Sequence, residues 1–163
     1  MRTILVLFVI CDLPMLKISK LSDYATALLA RMAQLAVPIS APALAADTRI
    51  SASTVAKLLK QLAKSNLVSA TRGVSGGYQL SRAPSLINIA QVLTALEGPL
   101  ALTECSAHSG NCVRAGFCGT KSHWRKINQA LITALETVTL ADLAVPDNSP
   151  VFAPRPIAVA AQV

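Results

Sequence analysis

Residues 51–65 restrict the possible folds more than any other stretch. Val55, Leu58, Leu59 and Leu62 recur at helical spacing, which marks one buried stripe on an α-helix. Thr54, Lys57, Lys60, Gln61 and Lys64 fall mostly on the other side. Ser51 or Ser53 stands where a helix cap is favoured. A shorter helix is expected from Ser40 to about Ala46, with Pro42 tolerated in its first turn. Asp47 to Ile50 then makes the turn. Two helices joined in this way, the second with a basic outer face, form a helix-turn-helix.

The sequence on either side extends this unit. Leu67–Thr71 and Tyr78–Leu80 read as a short hairpin across Arg72-Gly73-Val74-Ser75-Gly76-Gly77, whose glycines permit positive φ and a close backbone approach. A hairpin directly after a helix-turn-helix is a winged helix. Leu21–Leu35 gives an earlier helix, closed by Pro38, and Asn88 starts a later one, ended by Gly98-Pro99. Trp124 to about Glu136 is a further helix, in which Trp124, Ile127, Asn128, Leu131 and Leu135 repeat; Thr139–Leu143 adds a turn. The expected fold is mainly α with a small β-hairpin wing. Composition agrees: 53% of residues are apolar, but only 4% are aromatic, a balance that favours helices over sheets.

Charge points to a partner. The formal net charge is +7, which suits an anionic surface, either nucleic acid or membrane. Arg49, Lys57, Lys60, Lys64, Arg72 and Arg82 lie between Thr48 and Leu96, where no acidic residue occurs. A lysine stripe alone is usually a solvated face. Joined to the helix-turn-helix and the wing, it reads as a DNA-binding surface. Lys57, Lys60 and Lys64 are placed to meet phosphates. Ser51, Ser53 and Thr54 are short enough to reach phosphates or base edges. Arg72 is positioned to enter a minor groove, with Gly73, Gly76 and Gly77 shaping the wing. No apolar run is long enough to span a bilayer, and no catalytic constellation stands out. The chain is therefore read as a regulator with no enzymatic activity and no membrane partner.

Cys105, Cys112 and Cys118 form a C-x6-C-x5-C loop. Thiolates ligate iron–sulfur clusters and zinc, and they also form disulfides. The loop lacks the tight pair usual in structural zinc sites and the C-x-x-C of a redox dithiol. Its spacing suits a larger cluster best, with zinc and redox thiols left open. A fourth ligand is missing, and His108, His123, Asp23 or an external molecule are the candidates.

Together these motifs resemble the Rrf-type family of winged-helix transcription regulators, the IscR- and NsrR-like group. The resemblance rests on Ile18-Ser19-Lys20-Leu21-Ser22-Asp23-Tyr24-Ala25, Thr71–Tyr78 at the wing, Ala95-Leu96-Glu97-Gly98-Pro99 and the three cysteines, and it covers about residues 15 to 143. Leu102-Thr103-Glu104-Cys105-Ser106 and Trp124-Arg125-Lys126-Ile127-Asn128 place it nearest to the regulator of the SUF iron–sulfur assembly system. The resemblance implies a homodimer paired through the Trp124 helix on a double-stranded, near-palindromic operator. It also implies an iron–sulfur cluster, of the 2Fe–2S type, on Cys105, Cys112 and Cys118. One family type takes its fourth ligand from a His three residues past the last cysteine, but Lys121 stands there. Another type takes an Asp from the first helix of the other subunit, which matches Asp23; His123 ranks second. Val74 and Ser75 replace the family's usual Pro and Gly in the wing, which bears on operator preference.

The expected organisation follows. Residues 1–14 are a start-site artefact or disordered extension, since Met15 offers a second start and no cleavage site follows the apolar run. Residues 15–100 form the DNA-binding domain, 101–120 the cysteine loop, 121–143 the dimerisation helix and 144–163 a disordered, proline-containing tail. The expected function is a cytoplasmic repressor that senses cluster status and controls SUF genes. A nitric-oxide or redox sensor of the same family is the alternative, and a thiol or iron–sulfur redox protein without specific DNA binding is the rival from another class.

Overall fold

The computed structural model describes residues 18–73, 76–107, 112–114 and 116–145. The expectations for residues 1–14, for the tail beyond residue 145, for Val74 and Ser75 and for His108 lie outside these. Among the described residues six helices and one hairpin follow in order: α1 (Lys20–Leu35), α2 (Ala41–Thr48), α3 (Ala52–Lys64), β1 (Val68–Thr71), β2 (Gly77–Leu80), α4 (Ile89–Glu97), α5 (Lys121–Glu136) and α6 (Leu140–Ala144). A 3-10 turn at Pro84–Leu86 precedes α4. The expected fold, mainly α with a two-stranded wing, is the one found.

Side-chain caps set the helix starts. Ser19, Ser40, Ser51 and Asn88 each accept the amide three residues on, which satisfies donors that a helix start leaves free. Ser51, not Ser53, is the cap of α3. Thr139 and Asp142 close a reciprocal capping box on α6. Arg49 ends α2 in the left-handed region at φ 57°, so α2 runs two residues past the expected Ala46 and leaves a tighter turn into α3.

The core gathers Leu28, Leu29 and Met32 of α1, Leu44 of α2, Val55, Leu58, Leu59 and Leu62 of α3, and Val92 of α4. Leu67, Val68 and Ile87 seal it beside the hairpin. Strands β1 and β2 pair antiparallel, with Ala70 opposite Tyr78. Tyr78 also bridges to Ile39, through paired hydrogen bonds of 3.0 and 2.8 Å, so the α1–α2 connection backs the wing.

The chain leaves this body after Gly98 and returns at Val138. There Ile89 N–H donates to the Val138 carbonyl and Leu140 N–H to the Ile87 carbonyl, each at 2.9 Å. Leu140 is fully buried in the core, so α6 is a separate helix of the body and not a last turn of α5. Between the two junctions runs an arm holding the cysteine loop and α5. Helix α5 starts at Lys121, the first residue of the expected dimerisation segment and three residues before the apolar period begins at Trp124.

Candidate DNA-binding face and cysteine loop

Helix α3 presents its basic residues as the amphipathic pattern requires. Burying Val55, Leu58, Leu59 and Leu62 turns Lys57, Lys60 and Lys64 outward, and all three are exposed. At its N-terminus Ser51 Oγ lies 2.8 Å from Thr54 Oγ1 and 3.3 Å from Ser53 Oγ, a hydroxyl cluster on the solvent side. Arg72 and Gly73 are exposed at the wing. Lys57, Lys60 and Lys64 also line one open groove with Gln61, Ser65 and Ala95.

Gly76 and Gly77 have a packing reason beyond any contact with DNA. A Cβ on Gly76 would lie 2.3 Å from the Thr71 carbonyl oxygen, and one on Gly77 would lie 2.8 Å from that of Ile39. Any side chain would push the wing open. Gly73, at φ 117°, turns the chain and accepts the Gly76 amide at 2.9 Å.

Gln61 departs from its expected place on the outer side. It is half-buried, and its Nε2 donates to the carbonyls of Ala95 and Leu96 at 3.1 and 3.3 Å. Those carbonyls end α4 and lack helical partners, so Gln61 ties α3 to the root of the arm. On the far side of the same helix end, buried Ser22 donates to Glu97 Oε1 at 2.6 Å. The hydroxyls of Ser19 and Ser22 hold the Glu97 carboxyl below the usual glutamate range. Neither tie was visible from spacing alone; a glutamine within the lysine stripe and a serine pair on an apolar face were the available hints.

The three cysteines of the loop are free thiols in different settings. Cys105 is buried, with Thr103 Oγ1 at 3.2 Å from its sulfur. Cys112 is half-buried. Cys118 is half-buried three residues before α5, with Thr120 Oγ1 at 3.3 Å. The Thr120 hydroxyl and amide hold the Cys118 thiol below its usual range, and Arg114 adds a smaller pull. The donor chemistry fits a soft thiolate-bound metal or cluster. Among the described residues, no three Cys, His, Asp or Glu side chains already converge on one point. Asp23 is exposed in the first turn of α1, beside a groove shared with Ile18, Leu93 and Leu143, and His123 is exposed in the first turn of α5. Neither gathers with the cysteines here.

Comparison with known proteins gives a consistent picture. The profile of the Rrf2 family, described as iron-dependent transcriptional regulators, matches residues 18–146. The chain is 35% identical over 106 residues to protein rrf2 of Nitratidesulfovibrio vulgaris, covering 65% of this chain and 71% of that one. Among solved structures, CymR, the global cysteine regulator of B. subtilis, superposes at TM-score 0.63 with 27% identity, covering 79% of this chain and 96% of CymR. T. potens IscR superposes at TM-score 0.60 with 28% identity, covering 78% of this chain and 85% of that one. No helix among the described residues is long and apolar enough to cross a membrane.

Proposed function

The chain belongs to the Rrf2 family of transcriptional regulators, and from that premise we propose that it is a cytoplasmic repressor whose operator affinity depends on an iron–sulfur cluster and which controls iron–sulfur assembly (SUF) genes. One observation carries the reading. All three loop cysteines lie between Gly98 and Val138, and both ends of that segment are hydrogen-bonded to α4, Gly98 N–H to the Thr94 carbonyl and Ile89 N–H to the Val138 carbonyl. A change in the loop therefore acts where the recognition helix is anchored.

In this reading Cys105, Cys112 and Cys118 hold the cluster, of the 2Fe–2S type. Asp23 of the other subunit supplies the fourth ligand, with His123 as the second choice. A bound cluster supplies a fixed link between three points of the loop. The chain's own residues do the rest. Ser51, Ser53, Thr54, Lys57 and Lys60 meet the duplex in a major groove, and Arg72 with Gly73, Gly76 and Gly77 presents the wing. Gln61 holds α3 against the end of α4. Trp124 and Ile127, 39% and 48% exposed on α5, offer the apolar surface for a second copy. Regulation is linkage: operator affinity shifts only as far as the two loop states differ in their fit to DNA.

The test is anaerobic purification with absorbance, iron and sulfide analysis, followed by a gel-shift on the chain's own upstream region at several salt concentrations. The reading expects iron and sulfide in equal amounts, and an operator affinity that changes when they are removed. Specific DNA binding without iron or sulfide would favour the redox-sensing alternative of the same family. Salt-sensitive binding without sequence preference would favour the redox-protein rival.

A further inference from the structure

Helix α5 has 16 residues, and the one side chain it buries is polar: Asn128, 6% exposed. A buried amide needs partners. Both of its partners are backbone groups on the segment leading to the first cysteine. Asn128 Oδ1 accepts from Leu102 N–H at 2.9 Å, and Nδ2 donates to the Leu100 carbonyl at 3.2 Å. A side-chain amide offers one acceptor beside its donors, much as a peptide group does. Asn128 thus engages two alternate residues of the segment as a neighbouring strand would.

Leu102 stands three residues before Cys105. The amides of Ser106 and Ala107 both donate to the Thr103 carbonyl, at 2.9 and 3.3 Å, which fixes the backbone between them. Ser106 Oγ makes a second tie, donating to the Trp124 carbonyl at 3.3 Å, one turn before Asn128 on α5. Within this arrangement Cys105 is 8% exposed.

We propose that Asn128 is a positioning residue that sets Cys105 against α5, so that ordering the cysteine loop and setting the dimer helix are one mechanical event. Asp at this position would lose the donor and place a carboxylate against the Leu100 carbonyl. Leu would fill the volume and lose both bonds. The inference rests on the proposed function for what the coupling serves, but the clamp itself can be tested without any cluster.

The experiment uses the full chain, cluster-free and reduced, labelled with iodoacetamide and followed at each cysteine by mass spectrometry. Asn128→Leu should raise the Cys105 labelling rate by about tenfold or more and leave Cys118 within about twofold, because only local opening changes. The melting of the winged-helix body should not move, since the bonds of Asn128 lie outside its core. An unchanged Cys105 rate, or equal acceleration at Cys105 and Cys118, would overturn the proposal. If the variant fails to fold, the unsubstituted chain decides: the Leu102 amide should exchange with deuterium at least about tenfold more slowly than an unprotected amide, and free exchange there overturns the clamp. A chain that passes these tests but takes up no iron or sulfide defeats the proposed function and leaves the clamp standing. The opposite outcome removes the clamp alone.

Discussion

Helices α3 and α5 are held in opposite ways. Helix α3 has 13 residues, buries four aliphatic side chains and starts on a side-chain cap. Helix α5 has 16, starts without a side-chain cap and buries one amide. Each aliphatic side chain removed from water contributes about 1.5–3 kcal/mol, so the place of α3 follows from its own sequence. Helix α5 rests beside α4, with Leu131 and Leu135 half-buried near Leu93, and hydrogen bonds of Asn128 and of the Trp124 carbonyl tie it to the cysteine segment, while Trp124 and Ile127 stay exposed. In the proposed function, the body supplies the DNA-binding face and the arm carries the cysteines that would switch it.

The contrast can be broken most sharply in the core. Leu59→Ala should lower the unfolding free energy by about 2–5 kcal/mol, through lost burial and a residual cavity, as read by urea denaturation. Trp124→Ala should change monomer stability by less than about 1 kcal/mol and instead weaken self-association in sedimentation. Equal destabilisation by both would erase the distinction. The outer face of α3 gives a smaller effect. Lys60→Ala should weaken DNA binding about equally on all sequences and reduce the slope of log affinity against log salt by about one. A change confined to one base position would show that Lys60 reads bases.

The smallest effect sits at the junction. Ser22→Ala should cost about 0.5–1.5 kcal/mol for its bond to Glu97, measured by thermal melting near neutral pH. Because the folded Glu97 carboxyl lies below its unfolded value, its contribution is present above about pH 4.3 and is lost as the pH falls through the folded value. Glu97 is exposed, so solvent screening keeps this share small. Glu97→Gln should flatten that part of the acid-stability curve, and an unchanged curve would remove Glu97 from the account.

Much of this was legible in the residues, for a physical reason. Wherever one face is buried against the same chain, period and caps expose it. That is why α3, the hairpin, and the exposed Lys57 and Lys60 stand where the pattern put them. What could not be read depends on contacts distant in sequence. Gln61 sits in a basic stripe yet turns to α4. Leu140 looks like the tail of one helix and is core of the body. Asn128 falls within an apolar repeat yet is the side chain α5 buries, and the Leu100–Leu102 backbone explains it. The fourth ligand is the extreme case, because a group proposed to come from a second copy leaves no trace in the spacing of one chain.

Hydrogen exchange of the cluster-loaded and cluster-free forms, compared residue by residue under anaerobic conditions, tests the central claim most directly. The account predicts equal protection in both forms for the core amides of α3, and for residues 100–107 and α5 a slowing of at least about tenfold when the cluster is bound. Equal exchange along the arm in both forms, or a change centred on the core of α3, would contradict it.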